Sequence, residues 1–243
     1  MAGAGIGAMF DRIAASYDPL NRLFSLASDE RWRRILVRLA RGGPESLVLD
    51  VCTGTADLAL AMVRAGVSRK VIGVDVSEGM LAVGRRKVRR AGAGDRVSLL
   101  RADALALPFA DRSFDVVSCA FGLRNLPDRA RGIAEMSRVL RPGGRLLILE
   151  FAPPRRGLAG DAFRRYLSSL IPLVGGVLSG ERRAYRYLRD SIVAFLEPAE
   201  VAGLMLEAGL EHVRVLPLTA GIAFVYRGTV PPASKVFRAS QPP

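Results

Sequence analysis

Between residues 46 and 151 short apolar runs alternate with amphipathic stretches, and this alternation limits the chain to very few folds. "SLVLDV" (46–51), "KVIGVDV" (70–76), "RVSLLRADA" (96–104), "SFDVVSCAF" (113–121) and "RLLILEF" (145–151) read as strands. "DLALAMVRAG" is a helix with Gly66 as its stop, and Ser77 is placed to cap the next one, "EGMLAVGRRKVRRAG". "DRARGIAEMSRVL" is a third helix, closed by "RPGG". Strand–helix alternation with short connections predicts an α/β fold, a parallel sheet covered by helices on both faces. The stretch "EPAEVAGLMLEAGLEHVRVLPLTAGIAFVYRG" adds a helix and two strands about a turn at Gly221, which makes a mostly parallel seven-stranded sheet with one antiparallel strand.

The flanks differ. Residues 9–41 carry apolar residues at helical spacing, with a break expected at Asp18-Pro19, and form an N-terminal helical cap ended by Gly42-Gly43-Pro44. Residues 152–197 interrupt the step after strand five; apolar on one face and arginine-rich on the other, they read as a helical insert or lid. Residues 1–229 are expected to form one domain, and the unpatterned tail 230–243 to be disordered.

Composition excludes several classes. No apolar run reaches the ~18–20 residues of a spanning helix, and no secretory leader is seen, so an intracellular, cytoplasmic protein is expected. Cys52 and Cys119 read as small buried residues, and without a Cys–His cluster no metal site is expected. His212, the single histidine, reads as structural. The net charge of +13 points to an anionic partner: nucleic acid, an acidic membrane surface or acidic substrates.

The strand ends narrow the ligand. "LDVCTGTADLA" places Asp50, Gly54, Thr55 and Asp57 where open parallel sheets bind ligands. The G-x-G-x-x-G dinucleotide pattern is missing, and Asp57 at the helix start would repel a pyrophosphate. Asp57 suits a cationic group or serves as an ordinary helix-start residue. Asp75 ends the second strand about twenty residues after the glycine turn, placed to accept from ribose hydroxyls. Asp103 and Ala104, after the third strand, could read an adenine edge. Three acidic strand ends suit a cationic nucleoside without phosphates, such as S-adenosylmethionine.

"LDVCTGTADLA", "GVDVSEGML", "RADALALPFADRSFD", "AFGLRNLPD", "EMSRVLRPGGRLLILEF" and "YRYLRDSI" resemble the C-methyltransferases of ubiquinone and menaquinone synthesis, as do "MFDRIAASYDPLNRLFS" and "LTAGIAFVYRGT". The resemblance covers about residues 8 to 229. It implies a Rossmann-like class I fold, S-adenosylmethionine as methyl donor, and a ring carbon of a prenylated hydroquinone as acceptor. It carries the cofactor role to Thr55, Asp75, Asp103 and Ala104, with Asp50 and Gly54 shaping the turn. The form of the first turn is nearer the menaquinone branch, hence demethylmenaquinol, with the benzoquinol of ubiquinone synthesis as the alternative. Ala120 stands where some members have serine.

Strand four should end beside the transferred methyl, so Phe121 to Asn125 would line the acceptor site. Arg124 is expected to stabilise a phenolate or to activate a water, and Asn125 and Tyr17 to assist; the alternative for each is a salt bridge, a turn-forming Asn and a packed aromatic. An isoprenoid acceptor gives the 152–197 insert a purpose at an anionic membrane surface, against a homodimer interface or a lipid-free lid. A nucleic-acid methyltransferase would need an Asn/Asp-Pro-Pro-aromatic turn where Gly122–Asn125 stands, so no specific nucleic-acid partner is expected. A non-catalytic scaffold that binds S-adenosylmethionine is the remaining reading.

Overall fold

The computed structural model describes residues 2–25, 28–41, 43, 45–154, 157–166 and 182–233. Its strands are β1 (Leu47–Val51), β2 (Lys70–Asp75), β3 (Val97–Arg101), β4 (Phe114–Ala120), β5 (Leu140–Phe151), β6 (Glu211–Leu218) and β7 (Ala223–Thr229). They form one sheet in the order β3-β2-β1-β4-β5-β7-β6. β7 runs antiparallel to both β5 and β6, and the pairings among β1 to β5 are parallel. The expected sheet, with one antiparallel strand, is therefore present.

Successive residues of a strand face opposite sides, and here both sides are core. In β5, Leu147 and Leu149 join Val48, Met62 and Leu36 on one face, while Leu146 and Ile148 join Leu49, Val117 and Met136 on the other. All ten side chains are fully buried. This is why the strands read as continuous apolar runs and not as alternating ones.

The covering helices are α4 (Asp57–Arg64), α5 (Glu78–Arg90), α6 (Arg129–Arg138) and α9 (Pro198–Glu207). Ser77 caps α5 as expected, its Oγ accepting from the Met80 amide at 3.2 Å. "RPGG" does more than end α6. Leu140 already pairs with Phe114, the chain bulges, and pairing resumes at Arg145 with Val116.

The cap comprises α1 (Ala2–Ile13), α2 (Tyr17–Phe24) and α3 (Ser28–Leu39). The expected break at Asp18-Pro19 lies earlier, in the turn at residues 14–16. Pro19 sits inside the first turn of α2, where its missing N–H would have had no helical partner anyway. Of the insert, α7 (Leu158–Arg165) and α8 (Arg182–Val193) are described. Leu188 and Ile192 of α8 pack with Leu20 of the cap and Phe151. Residues 155–156 and 167–181, and the tail from 234, lie outside the described residues. No described helix is long and apolar enough to cross a membrane.

Candidate active site

Strand order reverses between β1 and β4, so a crevice opens above their carboxyl ends. Two turns build its floor. After β1 the chain takes left-handed conformations at Cys52 (φ 56°), Gly54 (φ 55°) and Ala56 (φ 65°), and after β4 at Phe121 (φ 58°). Each non-glycine residue held this way costs on the order of 1–3 kcal/mol, and such strain gathers at functional sites. The two turns press together at Gly122, where a Cβ would stand 2.4 Å from the Cys52 Cβ and 2.9 Å from the Cys119 sulfur. Only glycine fits there.

A cavity of about 520 Å³ fills the crevice. Gly54, Asp75, Asp103 and Ala104 line it, joined by Ile6, Phe10 and Tyr17 of the cap. The Asp75 carboxylate accepts from the Gly54 amide at 2.8 Å and the Ser77 amide at 2.9 Å. Burial pushes its carboxyl above the usual range, against the pull of those amides. Asp103 forms a local turn in which its Oδ1 accepts from the Leu105 amide at 2.9 Å, which fixes the carboxylate at the cavity wall.

Asp50 and Thr55 lie behind that wall and do not line this cavity. Asp50, 1% exposed, accepts from the Thr53 and Ser118 hydroxyls, each at 2.7 Å. Burial pushes its carboxyl up to about 6. The Thr55 hydroxyl donates to Asp18 at 2.6 Å and accepts from Lys87 at 3.1 Å. Lys87 also pairs with Asp18 at 2.8 Å and with Asp57, and Arg33 of α3 pairs with Asp57 at 3.3 Å and with Asp29. Asp57 thus both starts α4 and meets cationic groups, which belong to the protein itself. The network ties α2 and α3 to the first turn. A second tie joins α1: Asp11 accepts from the Ser77 hydroxyl at 2.6 Å and the Gly79 amide at 2.8 Å.

On the β4–β5 side the 3₁₀ turn Leu123–Asn125 carries the expected acceptor residues. Asn125 lines the large cavity beside Phe121, Gly122 and Ala120. Its Nδ2 donates to the Phe121 carbonyl at 3.2 Å, and its Oδ1 accepts from the Tyr187 hydroxyl at 3.0 Å. Arg124 turns away. Its guanidinium donates to Glu150 at 2.8 Å and to the Phe121 carbonyl at 2.6 Å, and lines a separate crevice with Tyr17 and Tyr187. Glu150 is completely buried and also accepts the Arg124 and Phe151 amides, at 3.1 and 2.9 Å. Tyr17 borders both spaces; burial raises its hydroxyl, opposed by Arg124 and Arg33.

Glu150, Tyr187, Arg33 and Lys87 are therefore residues of the site that sequence reading missed. Glu150 left one signal, an acid inside the apolar run "LLILEF". His212 stands apart, exposed at a bulge of β6.

The fold recurs in known proteins. The solved structures it resembles include the putative methyltransferase from the Haloferax volcanii complex with the Trm112 methyltransferase activator, at TM-score 0.66 and 19% identity over 91% of this chain and 97% of that one. Haemonchus contortus phosphoethanolamine N-methyltransferase 2, solved with S-adenosyl-L-methionine, matches at TM-score 0.63 and 18% identity over 83% of this chain and 52% of that one. These likenesses show a Rossmann-like methyltransferase fold. Sequence relatives are much nearer. A demethylmenaquinone methyltransferase of Thermus thermophilus is 45% identical across 92% of this chain and 100% of its own length. A ubiquinone/menaquinone biosynthesis C-methyltransferase of Geobacter sulfurreducens is 44% identical across 93% of this chain and 88% of its own. The model of the ubiE/COQ5 methyltransferase family matches residues 2–230. Matched by the family model over nearly its whole length and by relatives at 44–45% identity, the chain belongs to the ubiE/COQ5 methyltransferase family.

Proposed function

We propose that this protein is an S-adenosylmethionine-dependent C-methyltransferase of menaquinone/ubiquinone biosynthesis, with demethylmenaquinol as its acceptor and the benzoquinol of ubiquinone synthesis as the alternative. The observation that carries the reading is a single cavity with carboxylates at one end and the Phe121–Asn125 turn at the other. When bound, S-adenosylmethionine supplies an electrophilic methyl group on a sulfonium. The residues present fit it. Asp75 keeps lone pairs for ribose hydroxyls beyond its backbone amide donors, and Asp103 with the Ala104 amide suits an adenine edge. The carboxylates favour a cationic nucleoside and leave no cradle for a pyrophosphate.

At the acceptor end the protein must hold a nucleophilic ring carbon in line with the methyl group. Such alignment is worth ~7–11 kcal/mol at best. Asn125 and Tyr17 are the polar groups on that wall able to hydrogen-bond a ring oxygen. Glu150 balances the charge of Arg124, so Arg124 serves by holding the turn through its bond to the Phe121 carbonyl. The peripheral-membrane reading rests on the net charge of +13 and on the arginine-flanked apolar stretch 163–178.

The test is methyl transfer from labelled S-adenosylmethionine to demethylmenaquinol and to the benzoquinol, both kept reduced. Product from the naphthoquinol alone fixes the menaquinone role, and product from both makes a dual-use enzyme. Bound cofactor without either product overturns the acceptor. In Arg124→Ala, turnover is expected to fall while nucleoside binding persists; equal loss of both would make the residue purely structural.

A further inference from the structure

The turn between β6 and β7 is strained although it does not line the cavity. Thr219 (φ 45°), Ala220 (φ 55°) and Gly221 (φ 86°) follow one another in the left-handed region. A β-branched residue such as Thr219 is a genuine outlier there. The conformation puts a hydroxyl in a fixed place. Thr219 Oγ1 accepts from the indole Nε1 of Trp32 at 2.9 Å, across 187 residues of sequence. Trp32 is 4% exposed, so its N–H has to find a partner inside the protein.

The turn stands at the cavity end of the sheet, where Ala223 of β7 pairs with Phe151 of β5. It anchors two aromatic residues at once. Trp32 of α3 is held by the Thr219 hydroxyl. Phe151 is held by the next residue, Ala152, whose amide donates to the Ile222 carbonyl at 3.0 Å. Both rings meet Phe121, with centroids at 6.0 Å for Trp32 and 4.8 Å for Phe151, and they pack edge to face on each other at 5.8 Å. Phe121 is the left-handed residue after β4. Its carbonyl accepts from both Asn125 Nδ2 and the Arg124 guanidinium. The packed ring holds Phe121 in that conformation, and the conformation sets where the carbonyl points.

We propose that Thr219 and Trp32 are positioning residues for the acceptor. The β6–β7 turn fixes the Trp32 indole, Trp32 and Phe151 fix Phe121, and Phe121 aims the Asn125 amide. The inference rests on reading the Phe121–Asn125 turn as the acceptor wall, and nothing in that reading assigns Thr219 or Trp32. The left-handed Thr219 is then strain kept for function.

The test measures methyl transfer to a prenylated quinol and calorimetric binding of S-adenosylhomocysteine, both on the full-length protein. Thr219→Val keeps the size and the β-branch and deletes the hydroxyl. Its kcat is expected to fall about three- to tenfold, the scale of one lost hydrogen bond, with nucleoside affinity within about twofold of wild type. Thr219→Ser keeps the hydroxyl and should hold kcat within about twofold. Trp32 is the single tryptophan of the chain, so its fluorescence reads the contact directly. Emission of the unliganded protein should shift in Thr219→Val and not in Thr219→Ser. Wild-type kcat in Thr219→Val overturns the proposal. So does an equal fall in both variants, which would mean that the hydroxyl does not act, and so does a parallel loss of nucleoside affinity, which would make the contact a general brace of the cap. Should Thr219→Val not fold, Trp32→Phe gives the same reading, because it keeps a ring and leaves no buried indole N–H unpaired: lower kcat with nucleoside affinity kept supports the proposal, and wild-type kcat overturns it. No product from wild type with either quinol is a separate failure, of the acceptor reading itself, and it removes this inference too.

Discussion

Two acids close two strands, and the protein treats them in opposite ways. Asp75 at the end of β2 is held by backbone amides and borders the cavity. Glu150, one residue before the end of β5, is completely buried and faces a guanidinium. Amide donors orient a carboxylate without cancelling its charge, so the β2 side presents negative potential to a ligand. A guanidinium balances it, so the β4–β5 side presents shape and one polar side chain of its own, Asn125, with Tyr17 reaching in from the cap. On the proposed function, the nucleoside half recognises by charge, and the acceptor half by position.

The contrast breaks most sharply at the buried pair. Removing one partner of a buried ion pair typically costs ~3–5 kcal/mol, because the other is left unbalanced. Glu150→Gln is expected to lose about that much in urea unfolding, while Glu150→Leu combined with Arg124→Met recovers most of it. A loss below ~1 kcal/mol in the single variant would mean that Arg124 finds solvent or another anion, and that the acceptor half is charged after all.

Asp75→Asn tests the other side. The amide keeps the shape and loses the charge and one acceptor. Affinity for S-adenosylhomocysteine should fall by ~10–100-fold, the scale of a hydrogen bond to a charged group, with a smaller effect on unfolding. Equal affinity in the variant would show that the nucleoside half, too, works by shape.

The two halves also differed in how far the sequence revealed them. The nucleoside half was legible because its parts are local. Asp75 and Asp103 each follow their own strand, so "GVD" and "RAD" announce a strand end and a cavity-facing carboxylate together. Asp50 departs from this: its run places it at the strand end, but neighbouring hydroxyls from Thr53 and Ser118 draw it under the floor. The acceptor half is built from distant pairs. Arg124 meets Glu150 at 26 residues' separation and Asn125 meets Tyr187 at 62. The cap's tie to the first turn is as distant, Lys87 reaching Asp18 at 69. No period or spacing in the chain encodes such pairings. "FGLRN" therefore announced a site but not that its arginine would turn inward. The cap shows the same limit on a smaller scale: proline marks a helix boundary, but whether the helix ends or begins there depends on packing that the sequence does not state.

Tyr187 carries the smallest and most specific test. Its hydroxyl donates to Asn125 Oδ1 at 3.0 Å, and Asn125 in turn donates to the Phe121 carbonyl. Because Tyr187 comes from α8, its hydroxyl links the insert to Asn125 on the acceptor wall. Tyr187→Phe keeps the ring and its packing and deletes the hydrogen bond, worth ~0.5–1.5 kcal/mol. If the acceptor half works by position, freeing Asn125 should lower kcat several-fold on a prenylated quinol with the KM for S-adenosylmethionine unchanged. A rise in that KM with kcat intact would place α8 with the nucleoside half, and the division between recognition by charge and recognition by position would have to be redrawn along the cap rather than between β1 and β4.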